Sequence, residues 1–194
     1  MRVAFGLKAH SGWAALIVIG KSGGDYIVID RRRVELVEEA WARQPYHAAD
    51  ELEPKEARTL VRRGVESARR IALREMRLLW KRERARGNSV TGCAVLVGNP
   101  MPGWSTAEIL AVHFRMHQAE GVLFRDALAV AAKKIGLRLV AIPEKELEKT
   151  AQNTLGTSLS ELTRTIAQLG KSVGPPWTRD QKDAALAAMI ALRQ

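Results

Sequence analysis

Three apolar runs crowd into the first 37 residues: Arg2 to Leu7, Trp13 to Ile19, and Tyr26 to Ile29 continuing towards Val37, each closed by a cluster of Gly, Ser or Asp. Runs of this length and spacing read as consecutive strands joined by tight turns, an antiparallel meander. From residue 55 onward the pattern changes. Ala57, Leu60, Val61, Val65, Ala68, Ile71, Ala72, Met76 and Leu79 recur at three-to-four-residue spacing and predict one long amphipathic helix from Lys55 to Arg86, with Gly64 as a weak point. Val90 to Val97 then reads as a buried strand that ends at Gly98-Asn99-Pro100.

Ser105-Thr106-Ala107-Glu108 has the spacing of a capping box and opens a helical periodicity reaching Ile135, with Gly136 as its stop. Leu137 to Ile142 predicts a last short strand, closed by Pro143. A helix follows over Glu161 to Gly170, then a rigid Gly174-Pro175-Pro176-Trp177 loop. Thr178-Arg179-Asp180-Gln181 starts a final Ala-rich helix to Leu192. Gln44 to Pro54, polar and bracketed by prolines, reads as a connection. The order is βββαβαβα. Meander strands pair antiparallel and crossover helices impose parallel pairing, so the expected fold is one α/β domain over residues 1–194, a mixed sheet flanked by helices.

The net charge of +10 favours polyanionic partners, nucleic acid or an anionic membrane surface, without choosing between them, and no apolar stretch is long enough to span a bilayer. The excess is concentrated. The predicted helix over 55–86 carries twelve Lys or Arg against four Glu, a net of +8. Such a face is either merely solvated or a phosphate-backbone contact, and Arg62, Arg69, Arg70, Arg77, Lys81 and Arg84 are the candidate binding residues, joined by Lys149. The single cysteine, Cys93, excludes an intramolecular disulfide and suggests a reducing, cytoplasmic setting without a targeting segment.

Three further candidates carry polar chemistry. Asp180 and Asp183 lie three residues apart in the first turn of the last helix, where the dipole favours carboxylates whatever their use. His113, His117 and Glu120 have a spacing that a zinc site can use, although His113 and Glu120 share the apolar stripe and read first as a partly buried polar pair. Trp104 and Trp177 stand in Pro/Gly loops at the expected ligand edge of the sheet, where they either pack or stack on bases. The glycines at 20, 23 and 24 lack the Lys-Ser/Thr helix start of a phosphate-binding loop.

Three stretches resemble the RuvC-type Holliday junction resolvases of the RNase H-like superfamily. Gly6-Leu7-Lys8-Ala9-His10-Ser11-Gly12-Trp13 is similar to that family's G-I-D-P-G followed by a glycine-aromatic pair. Pro143 to Lys149 with Gly156 is similar to its P-x-x-V-K segment leading to a glycine, and Asp180-x-x-Asp183-Ala184 to its closing D-x-x-D-A. The resemblance implies an RNase H-like fold, nucleic acid as partner, a homodimer, and four carboxylates holding two divalent cations. Two of the four are replaced: Lys8 stands at the first position and Gly98 at the second.

A protonated lysine repels a cation, so the expected function is nucleic-acid binding through the basic helix without metal-dependent cleavage and without a cofactor. Lys8 is expected to take the metal's place and pair with Asp183 or Asp180. Two alternatives remain open: a divergent Mg- or Mn-dependent nuclease using Asp180, Asp183 and Glu120, and a structural subunit whose basic face meets an acidic protein.

Overall fold

A computed structural model describes residues 1–193. The meander forms as expected: β1 (Arg2–His10), β2 (Trp13–Ser22) and β3 (Asp25–Glu35) pair antiparallel in sequence order. Helix α1 (Pro54–Ala85) carries the chain across to β4 (Ser89–Val97), which pairs parallel with β1, and β5 (Leu139–Pro143) pairs parallel with β4. The sheet order is β3-β2-β1-β4-β5, so β1 is central and buried along almost its whole length.

Strand alternation divides β1 between two cores. Val3, Phe5, Leu7 and Ala9 face the layer formed by α1 and α3 (His113–Lys134), while Ala4 belongs to the core beneath α6 (Arg179–Arg193). Gly6 and Lys8 therefore point to the α6 side, and a Cβ at Gly6 would come within 1.9 Å of the Ala184 carbonyl oxygen. The Ala-rich face of α6, with Ala184, Ala187, Ala188 and Ala191 fully buried, permits this approach of helix backbone to strand. The acidic first turns of α6 are thereby set over the C-terminal end of β1.

Gly64, the expected weak point of α1, does not interrupt the helix. A Cβ there would meet the Pro45 side chain at 2.6 Å, so its absence lets the 44–54 connection lie against α1. The single thiol, Cys93, is sealed in the α1/α3 core, where burial pushes it up to about 12. No helix among the described residues is long and apolar enough to cross a membrane.

Two expectations need correction. The helix anticipated over 105–135 is two helices, α2 (Thr106–Leu110) and α3, because Val112 is extended (φ −141°, ψ 112°). A β-branched residue favours that conformation, and the Arg115 guanidinium donates to the Glu108 carbonyl at 2.9 Å, satisfying a group freed at the end of α2. The capping box at Ser105 and Glu108 is present. The unanticipated α4 (Leu147–Leu155) precedes α5 (Leu159–Val173), which a second capping box at Ser158 and Glu161 starts two residues before the expected Glu161.

The Gly6 contact yields a test. Gly6→Ala is expected to destabilise the chain by about 3 kcal/mol, the upper range for overpacking, because the obstructing atoms are helix backbone. Chemical denaturation measures it, and a loss under about 1 kcal/mol, a size typical of tolerated core swaps, would refute the close packing of α6 on β1.

Candidate functional site

Lys8 is a buried charged residue, 8% exposed, placed by β1 at the edge where the parallel strands end. Its ammonium lies 2.7 Å from Asp183 Oδ2, 2.9 Å from Glu144 Oε1 and 3.4 Å from Asp180 Oδ1. Three carboxylates from two elements thus converge on one three-donor cation. Asp180 and Asp183 come from the first turns of α6, and Glu144 from the short 3-10 turn that follows β5. Burial works against the charged ammonium. Hydrogen bonds to Asp183 and Glu144, with their charges, outweigh it and hold Lys8 above its ordinary value of 10.5.

The second replaced position is also occupied by a cation. A Cβ at Gly98 would fall 2.2 Å from Arg125 Nη1, so the Arg125 guanidinium, reaching over from α3, fills the space of a side chain at that strand end. Arg125 Nη2 donates to Glu144 Oε2 at 3.1 Å. Glu144 therefore bridges Lys8 and Arg125, one oxygen to each. Its neighbour cleft, about 380 Å³, is lined by Gly98, Asn99, Glu144, Lys145 and Arg179. Neither Glu144 nor Arg125 is recognisable from sequence as a site residue, because their meeting depends on the middle of α3 and the end of β5 being brought together.

His10 completes the edge. Its Nε2 lies 3.1 Å from Asp180 Oδ2, close enough for an ion pair but without the alignment of a hydrogen bond. The ring stacks on Trp13 at 4.4 Å, with the Arg33 guanidinium 3.9 Å from the Trp13 ring centre on the indole.

These residues do not fit a divalent cation in the arrangement the resemblance implies. An ion placed between Asp180, Asp183 and Glu144 would compete with an ammonium already within 3.4 Å of all three, and Arg125 supplies positive charge where a further carboxylate is expected. Like charges at such separation disfavour each other strongly when partly withdrawn from water.

Glu120 is not part of this cluster. It is buried, 3% exposed, on the α1/α3 side, where Oε1 accepts the Tyr46 and His47 amides at 3.2 and 3.1 Å and Oε2 pairs with His47 Nδ1 at 2.8 Å. The expected His113–Glu120 pair does not form: His47, from the 44–54 connection, takes Glu120, and His113 instead meets His117 at 3.1 Å. Trp177 donates to the Ile166 carbonyl at 3.0 Å and packs against Gly170; Trp104 packs on the core beneath Arg115. Both tryptophans are thus packing residues.

The candidate binding residues Arg62, Arg69, Arg70, Arg77, Lys81, Arg84 and Lys149 are all exposed. Five basic side chains of α1 (Arg69, Arg70, Arg74, Arg77 and Lys81) line a groove of about 670 Å³ with Lys134 of α3, against a single acidic residue, Glu66. Glu38 engages Arg70 and Arg74. Arg69, Arg77, Lys81 and Lys134 have no ion pair among the described residues. Arg84 lies over the Trp80 ring and Lys149, on α4, lies outside the groove.

Removing the Lys8 ammonium leaves three carboxylates facing one another. Breaking a buried pair costs about 3–5 kcal/mol, and the solvent access of these carboxylates lowers the expectation for Lys8→Ala to about 2–4 kcal/mol, a fall in Tm of roughly 5–15 °C. Because the folded-state pKa of Lys8 is raised, its contribution is complete below the ordinary 10.5 and is lost as pH climbs past the raised value. Thermal melts of the two proteins should therefore differ by a constant amount from neutral pH up to about 10.5, then draw together as pH rises through the raised value. An unchanged Tm in Lys8→Ala would contradict the assignment.

No protein-family model and no curated protein matches the chain at a significant level. Among solved structures it is similar to Thermus thermophilus RuvC in complex with a Holliday junction substrate, with 14% identity and a TM-score of 0.52 over 97% of this chain and 91% of that one. A structure of Thermus thermophilus RuvC alone gives 13% identity and a TM-score of 0.48 over 97% and 92%. Together with the β3-β2-β1-β4-β5 sheet, the likeness to the junction-bound structure shows that the chain has the RNase H-like fold seen in RuvC.

Proposed function

We propose that this chain binds nucleic acid without sequence preference through the basic groove between α1 and α3, and that it does not perform two-metal phosphodiester hydrolysis. The observation that carries the binding half is the groove itself: six cations and one carboxylate along a single cleft, four of the cations free of ion pairs among the described residues. A face of one sign with this density recruits phosphates by releasing their condensed counterions. The likeness to a RuvC protein bound to a Holliday junction supports a nucleic acid as the polyanion. A homodimer would set two such grooves in one assembly, and the buried thiol of Cys93 suits a cytoplasmic setting.

The second half rests on Lys8 and Arg125 at the two strand ends where the resemblance calls for carboxylates. In this reading Glu144, Asp180 and Asp183 serve the fold, needing no Mg or Mn. A nuclease built from Asp180, Asp183 and Glu120 finds no support, since both oxygens of Glu120 are committed to Tyr46 and His47.

Two measurements test these halves separately. In fluorescence anisotropy with labelled single-stranded, duplex and junction DNA, and with RNA, binding should be strongest at low salt and fall steeply as salt rises. The Arg69→Ala/Arg77→Ala/Lys81→Ala triple variant should bind all of them more weakly, with a salt slope smaller by about 3. Absence of any salt-dependent binding would favour an acidic protein as the partner of this face.

For the acidic cluster, Lys8→Asp is expected to restore a cation requirement: its Tm should rise on adding Mg²⁺ or Mn²⁺, while that of the wild type stays flat. Metal-dependent cleavage of DNA by the wild type, abolished in Asp183→Asn, would overturn the non-nuclease reading.

A further inference from the structure

The side-chain cluster that the nucleic-acid reading leaves unused lies where the 44–54 connection meets the start of α3. His113 and His117 are one helical turn apart on α3 and present the same face. Their Nε2 atoms are 3.1 Å apart. His47, contributed by the connection, brings its ring to within 5.0 Å of the His113 ring and 4.6 Å of the His117 ring, centre to centre. One ring nitrogen from each of the three lies within 4.8 Å of the other two.

We propose that His47, His113 and His117 form a zinc site. Four-coordinate Zn²⁺ with Zn–N bonds of about 2.0–2.1 Å places its nitrogen ligands roughly 3.3 Å apart. The His113–His117 pair is already close to that separation at 3.1 Å, and the His47 ring nitrogen lies within 4.8 Å of both. Imidazole is a borderline ligand, suited to Zn²⁺ and poorly suited to Mg²⁺ or Ca²⁺, which take oxygen donors.

The orientation of His47 favours this reading over three histidines that merely touch. Its Nδ1 is engaged by Glu120 Oε2 at 2.8 Å, and because a carboxylate oxygen accepts, the ring donates from Nδ1, the tautomer that in the neutral ring leaves the Nε2 lone pair for a metal. Glu120 is itself fixed by the two backbone amides of Tyr46 and His47. A buried carboxylate that holds the far nitrogen of a ligating histidine is the usual support of such a ligand, fixing its tautomer and ring orientation. Glu120 is thus a positioning residue for the site. His113 and His117 are exposed, so the fourth coordination position opens to water.

The site has a structural consequence. Val112, the N-cap of α3, makes no side-chain cap bond, and the ion ties the first two turns of that helix to the connection through His47. This inference is independent of nucleic-acid binding, since it uses none of the residues of the basic groove.

The test uses the full chain without a histidine tag, stripped of metal with a chelator and titrated with Zn²⁺ in competition with a chromophoric chelator. One equivalent should bind and raise the Tm. The His113→Ala/His117→Ala variant, changed only at exposed positions, should keep the metal-free Tm and bind Zn²⁺ at least 100-fold more weakly; His47→Ala should weaken binding as well. Glu120→Gln should lower affinity by about 10- to 100-fold when compared at equal folded fraction. Failure of the wild type to bind zinc would overturn the site. So would equal affinity in the His113→Ala/His117→Ala variant, and equal affinity in His47→Ala would remove the loop ligand that defines it.

Discussion

The ion pair between Lys8 and its three carboxylates is the constraint on which the C-terminal edge of the sheet depends. Lys8 lies on the central strand, Glu144 follows the last strand, and Asp180 and Asp183 begin the helix packed on Gly6. The ammonium they share offsets the mutual repulsion of the three carboxylates gathered around it. The cost of burying Lys8 is offset only because its three donors face three acceptors, a condition that buried ion pairs need in order to be stable at all. Arg125 extends the arrangement from the opposite helical layer, so that Glu144 links cations from both sides of the sheet.

The chemistry of that edge differs from that of a metal centre in a simple way. A divalent ion concentrates charge at a point open to exchange, and can activate a bound water. An ammonium on a strand is fixed covalently, offers only hydrogens, and has no open coordination position. Substituting one for the other preserves the electrostatic glue and removes the reactivity. In the proposed function the two roles have separated: the acidic cluster maintains the fold, and the capacity to meet phosphates resides on the outer face of α1 and α3, in the opposite helical layer from α6.

Much of this was legible in the sequence where periodicity or charge carries the signal. The strand spacing at the N-terminus, the stripe of α1 and its single-signed outer face follow from local pattern, and the pairing of Lys8 with Asp183 and Asp180 from the resemblance combined with charge. What local pattern cannot encode is convergence. Glu144 lay within a motif but had no visible partner, since Arg125 and Lys8 approach it only through the sheet. His47 stood in a polar connection, 73 residues before the Glu120 it binds, and helical spacing alone assigned Glu120 to His113. The interruption of the helix at Val112 was equally hidden, because no Gly or Pro marks it; the extended backbone and the Arg115 contact to Glu108 do so in three dimensions.

The central claim, that the Lys8 ammonium is the cation of the acidic cluster, is tested most directly by nuclear magnetic resonance on the wild-type chain with paramagnetic Mn²⁺. If Lys8 fills the site, the amide resonances of Asp180, Asp183 and Glu144 keep their intensity through the titration, and the Lys8 side chain stays protonated beyond its ordinary 10.5. Selective broadening of those amides by Mn²⁺ at low stoichiometry would contradict it, because it would place a divalent ion where the ammonium is said to stand.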